Sequence, residues 1–218
     1  MSNFDLIAKA IVRGQSHSGL EDIEEMYRRS PVSSPFWEDK RVDMTKIKCP
    51  AYIRGSDVSS IHTMGSIRAF LEIPHSDKWI HWGSKQEWYE LYSIPHAMEE
   101  LSTFFDRYLK GKDNDWLKTP KVRWSALQFG DREAIDDIVL EDFPVPDTDY
   151  RELFLHNGKL HDKPQETLTA ISYDSEKHES FAEFVHTFDS KARLIGLPKA
   201  TLYMSCNCLL YTSPSPRD

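Results

Sequence analysis

No apolar run in the sequence approaches the ~18–20 residues that a membrane span requires, so it offers no candidate transmembrane helix. Basic excess is also missing. The 27 Lys and Arg residues stand against 35 Asp and Glu, and no Lys/Arg-rich run offsets the net charge of −8. A polyanion partner needs concentrated positive charge, so neither nucleic acid nor a membrane is expected as a partner. Cysteine is scarce: Cys49, Cys206 and Cys208 are too few for a disulfide framework. Cys206-x-Cys208 lacks the spacing and partner ligands of a zinc site. The three read as reduced and structural, with Cys49 buried beside a strand. The N-terminus shows no positively charged and then apolar signal pattern, which makes the cytoplasm the expected location. Internal repeats, metal-ligand clusters and phosphate loops are absent from the sequence, and no cofactor is expected. With 39% hydrophobic and 28% charged residues over 218 positions, the chain is long enough for one large or two small domains.

The stretch Phe36–Phe70 organises what is present. At its centre Cys49–Ile53 is a short apolar run, entered through Pro50 and left through Gly55-Ser56-Asp57, which predicts a buried strand followed by a sharp turn. Met64, Ile67, Phe70 and Leu71 then repeat at the spacing of one helical face, predicting a helix over Thr63–Leu71. Strand, polar turn and helix form the unit of an α/β fold, whose functional groups gather at the carboxyl ends of strands. The turn Gly55–Thr63, carrying Asp57, several hydroxyls and His62, is the first place to look for chemistry.

Helical spacing recurs over residues 3–12 and 19–29, the second ended by Ser30-Pro31. Val32–Trp37, rich in proline and serine, reads as a loop. A second strand is predicted at Trp79–Trp82, closed by Gly83. The clearest helix is 95–110, with Pro95 in its first turn and Gly111 just past its end. The polar connection after Gly111 marks a domain boundary. Beyond it β-like segments alternate with turn signals: Val122–Gln128, Tyr150–Leu155, Thr167–Ile171, Phe181–Phe188 and Ala200–Met204. Asn157-Gly158 is a hairpin signal among them. The closing CLLYTSPSPRD does not continue this pattern and reads as translated sequencing-adaptor sequence.

FWEDKR…KIKCPAYI, IHTMGSIRAF, DKW, FFDRYLKG leading into TPKVRW, LFLHNGKL and HTFDS…GLPKATLYMS together resemble the cocaine esterase (CocE/NonD) hydrolase family, which is related to the X-prolyl dipeptidyl peptidases. The resemblance implies a partial α/β-hydrolase domain over residues 1–111, a linker at 112–118 and a truncated jelly-roll β-sandwich over 119–205, with a non-native tail at 206–218. It implies a serine hydrolase acting on a small-molecule ester or a short peptide through an acyl-serine, without a cofactor.

The chain departs from that family in three ways. No G-x-S-x-G elbow occurs in it, so the nucleophile is expected upstream and these residues alone are expected to be inactive. The family's triad acid, counted from Pro50, falls on Ser59, with Asp57 two residues away. The family's triad histidine belongs after the strand at 79–82, where Gly83–Trp88 contains none. The candidate catalytic residues are therefore Asp57 as acid, competing with an ordinary turn role, and His81 or His62 as base. His81 competes with a core role between Trp79 and Trp82, and His62 with capping the following helix. Lys85 and Glu87 read as a solvated pair. The alternative function is a non-catalytic relative that binds a ligand through a degenerate cleft.

Overall fold

The computed structural model of the chain describes residues 23–59, 62–130, 132–174 and 177–205. The helix expected over 3–12, the pair Cys206 and Cys208 and the tail from 206 onward lie outside the described residues. The chain divides into two units, Met1–Asp43 with Lys199–Asp218, and Met44–Pro198.

In the first unit, α1 (Ile23–Arg29) ends just before Ser30-Pro31, as read from the sequence. The expected loop Val32–Trp37 is interrupted by a short helix, α2 (Pro35–Asp39), because Pro35 occupies the first turn, where its missing N–H and fixed φ favour a helix. Trp37 donates from Nε1 to the Ser30 carbonyl at 2.7 Å and packs on Tyr27, ring centroids 4.9 Å apart.

The second unit is built on a four-stranded sheet, order β1 (Ala51–Ser56), β2 (Lys78–Gly83), β3 (Val122–Ala126), β4 (Ile135–Leu140). The first three strands run parallel and β4 returns antiparallel. Helix α3 (Thr63–Glu72) links β1 to β2; α4 (Glu87–Ser93), α5 (Pro95–Lys110) and a 3-10 turn (Asp115–Lys118) link β2 to β3. The period of two along each strand sorts the side chains onto two faces. On one face Ile80, Trp82, Val122 and Trp124 meet Ile67 and Phe70 of α3, and Phe143 extends a stack on Trp124 and Trp82 with centroids 4.5 and 4.7 Å apart. On the other, Trp79 and Tyr52 pack against Phe104 of α5 and Trp116. Trp116 belongs to the polar connection 112–118, yet it is fully buried, so the sheet and its core run on past that segment.

β1 lies later than the sequence suggested, and this corrects two expectations. Cys49 precedes the strand and is an exposed free thiol rather than a buried one. Gly55 does not turn the chain. It continues the strand, and a Cβ there would come within 2.7 Å of the Trp82 ring and 2.9 Å of Ser66 Cβ. Its role is space for close packing rather than conformational freedom. A Gly55→Ala substitution is expected to cost about 1–3 kcal/mol by overpacking, read from the midpoint of urea unfolding. Helix α5 matches its expected bounds, and Gly111 takes the left-handed φ of 64° past its end. Met98, Phe105 and Leu109 on this helix are exposed, as are Met64 and Leu71 on α3.

A separate antiparallel hairpin pairs β5 (Phe154–His156) with β6 (Lys159–His161) through Asn157-Gly158, whose φ values of 45° and 72° are those of a primed turn. Val185 adds an isolated parallel bridge to Lys159. Thr167–Ile171, most of Phe181–Phe188 and Ala200–Met204 are not strands, and Tyr150–Leu155 contributes only its last residues. Leu168, Phe181 and Tyr203 are largely exposed. Alternation marks which side of a segment is apolar, but a strand forms only where a neighbour pairs its backbone.

Candidate functional site

The parallel strands β1 and β2 end in register, Ser56 opposite Gly83, so the turns that follow leave the sheet side by side. The turn after β1 is held by Thr63, whose hydroxyl donates to the Ser56 carbonyl at 3.0 Å and also bonds the Ser59 carbonyl. The turn after β2 is held by Glu90. Its Oε1 accepts from the Lys85 N–H at 3.1 Å while its Oε2 meets Arg54 Nη2 at 2.6 Å. Gly83 makes room for that carboxylate, since a Cβ would lie 2.4 Å from both oxygens.

Two residues meet across these turns. His62, at the N-cap position of α3, makes no cap bond and points its Nδ1 at Oε1 of Glu87, the first residue of α4. The His62 side chain is 57% exposed and that of Glu87 only 14%. Ser59, buried, donates to the same Glu87 oxygen at 3.3 Å and accepts from the His62 backbone N–H at 3.4 Å. Burial alone would raise the Glu87 pKa, but hydrogen bonds from His62, from its own backbone and from Ser59 outweigh it and hold the carboxyl below its ordinary value. An ionised carboxylate only accepts, so in this contact His62 Nδ1 is the donor and Nε2 is the ring nitrogen left outside it. The pair borders a cleft of about 330 Å³ whose walls include Tyr52, Trp88, Tyr92 and Leu101.

Glu87 was expected to be solvated beside Lys85 and is instead largely buried against His62. The sequence reading also missed α4 itself. Trp79 and Trp82 of β2 are core, whereas Trp88, Tyr89 and Tyr92 of α4 are exposed.

Asp57 is exposed at the start of the turn, and no hydrogen bond or ion pair joins it to either histidine among the described residues. His81 is buried in mid-strand, level with Arg54 and Arg123 on its neighbours. These three cross the sheet beneath Glu90 and Glu100. Tyr52 donates to Glu100 Oε2 at 2.5 Å, Arg123 Nη2 binds Glu100 Oε1, and His81 stands 3.8 Å from Oε2, an ion-pair separation rather than a hydrogen bond. His81 Nε2 lies 3.3 Å from Asp137 on β4.

Burial pushes the Glu100 pKa up, but His81, the Tyr52 hydroxyl and Arg123 outweigh it and bring it down to about 2. The folded pKa lies below the ordinary 4.5, so Glu100 stabilises the fold above about pH 4.5 and that contribution is lost as pH falls towards 2. Tm followed through that window is expected to fall, and Glu100→Gln to flatten the fall.

A mixed sheet covered by helices on both faces, followed by an antiparallel hairpin, defines an α/β unit running into β structure. Residues 114–208 match the X-Pro dipeptidyl-peptidase C-terminal non-catalytic domain. Two crystal structures of a CocE/NonD family hydrolase from Staphylococcus aureus are similar to most of the chain. One is 29% identical with a TM-score of 0.67, covering 79% of this chain and 31% of the other; the second is 28% identical with 0.68, covering 80% and 32%. The chain thus spans about a third of the length of the solved structures it matches. No curated protein matches it. The chain is therefore similar to a CocE/NonD family hydrolase over most of its length and to the X-Pro dipeptidyl-peptidase C-terminal domain over residues 114–208. No helix among the described residues is long and apolar enough to cross a membrane.

Proposed function

We propose that the chain is part of a serine hydrolase that cleaves an acyl ester or an X-Pro peptide or amide bond, with His62 as its general base and the nucleophilic serine supplied by the full-length protein. The observation that carries this is the His62 imidazole at the cleft wall, its Nδ1 engaged by Glu87 and its ring open to solvent beside the carboxyl ends of two parallel strands. In this mechanism the serine hydroxyl proton passes to Nε2 as Oγ bonds to the carbonyl carbon. The imidazolium then gives the proton to the leaving alkoxide or amine as the C–O or C–N bond breaks. Water, losing a proton to the same nitrogen, attacks the acyl-serine, and the carboxylic acid leaves as Oγ recovers its proton. The cycle balances without an added oxidant or reductant. Asp57 is then a surface turn residue and His81 a member of the buried charged row.

The match over residues 114–208 supports a β-domain in the carboxyl-terminal half, proposed to be a jelly roll, whose first strands β3 and β4 join the sheet of β1 and β2. Substrate is a small ester or short peptide, and the cytoplasm remains the proposed location. The test is hydrolysis of a p-nitrophenyl ester and an X-Pro p-nitroanilide. Turnover by the full-length protein and none by the 218-residue chain is expected. Turnover by the chain alone, blocked by a serine-directed reagent, would place the nucleophile within it and overturn the proposal.

A further inference from the structure

The resemblance noted in the sequence implies a carboxylate in the turn after β1 and a histidine in the turn after β2. In this chain the two are reversed: His62 follows β1 and Glu87 follows β2. We propose that acid and base have exchanged loops, and that Glu87 is the positioning carboxylate that holds His62 for catalysis; this rests on the hydrolase reading above.

Three observations carry the exchange. First, β1 and β2 are parallel neighbours ending in register, so a contact between their turns is equally available whichever turn supplies the imidazole. Second, the position where the family has its acid is Ser59, which carries no charge but donates to Glu87 Oε1 and accepts from the His62 backbone N–H. Ser59 thus braces the carboxylate and the imidazole-bearing backbone together. Third, Glu87 Oε2 is buried with no hydrogen-bond partner among the described residues. An unpaired buried carboxylate oxygen is costly, and a purely structural ion pair between surface turns would leave it in water. A dry carboxylate holds an imidazolium more strongly as it forms, which is the property a positioning acid needs.

Glu87→Gln keeps the size of the side chain but no longer fixes the proton on Nδ1, and Glu87→Asp restores the charge. In the 218-residue chain, the His62 Nδ1 proton, assigned through His62→Gln, is expected as a low-field NMR signal. The signal should be lost in Glu87→Gln and retained in Glu87→Asp. In the full-length protein Glu87→Gln is expected to lower kcat by about 10³–10⁴-fold with KM little changed, whereas Asp57→Asn leaves both within about twofold. A signal and a kcat unmoved by Glu87→Gln would overturn the exchange while leaving the hydrolase reading intact. A wild-type protein that hydrolyses neither substrate overturns the reading itself, and the exchange with it. Dependence on Asp57 in place of Glu87 would assign the acid to the turn after β1.

Discussion

Replacing His62 by alanine in the full-length protein is expected to reduce kcat by about 10²–10⁴-fold, the range that a general base contributes. The ring touches the cleft and its exposed position gives it little part in the core, so stability should change little. Steady-state kinetics with an ester substrate, alongside urea unfolding, separates the two effects. A loss of activity that tracks a loss of fold would assign His62 a structural role. His81→Ala makes the contrast, because removing it empties a buried position between two arginines and is expected to act mainly on stability.

Glu100→Ala is expected to destabilise the second unit by about 3–5 kcal/mol. Glu100 receives Tyr52 and Arg123 and faces Arg54 and His81, and the side chains of Arg54 and Arg123 are 9% and 15% exposed. Removing the carboxylate leaves two buried guanidinium groups with less opposing charge than they were folded around. Removing Arg123 along with it, as Glu100→Met with Arg123→Met, is expected to cost less than the two single changes together. Chemical unfolding of the four proteins measures this. A loss below about 1 kcal/mol for Glu100→Ala would show that solvent already screens the row.

Elements whose local signals agreed were legible in the sequence. Helix α5 has Pro95, an amphipathic repeat and Gly111 all naming the same bounds, and the Asn157-Gly158 hairpin rests on one turn type. β1 and β2 were legible as apolar runs, although the frame of β1 was read too early because Gly55 was taken as a turn former. Its close approach to Trp82 is a tertiary fact with no local mark. Helix α4 is short and carries no cap or apolar repeat that marks it; the acidic pair Glu87 and Glu90 in its first turn was the available signal. β4, with Asp136 and Asp137 at its centre, does not look apolar, and it forms because β3 offers it an edge. The site followed the same rule. His62 was visible as a histidine in a functional turn, but its partner lies on another loop and is set by the register of β1 on β2. No spacing along the chain reports that register.

The most direct test of the account is to express the full-length protein and treat it, folded, with a fluorophosphonate. The prediction is covalent labelling of a serine in a G-x-S-x-G elbow upstream of these residues, slowed strongly by His62→Ala. A folded protein that has no such elbow, or whose elbow serine stays unlabelled, would contradict the hydrolase mechanism and leave a cleft that binds without catalysing.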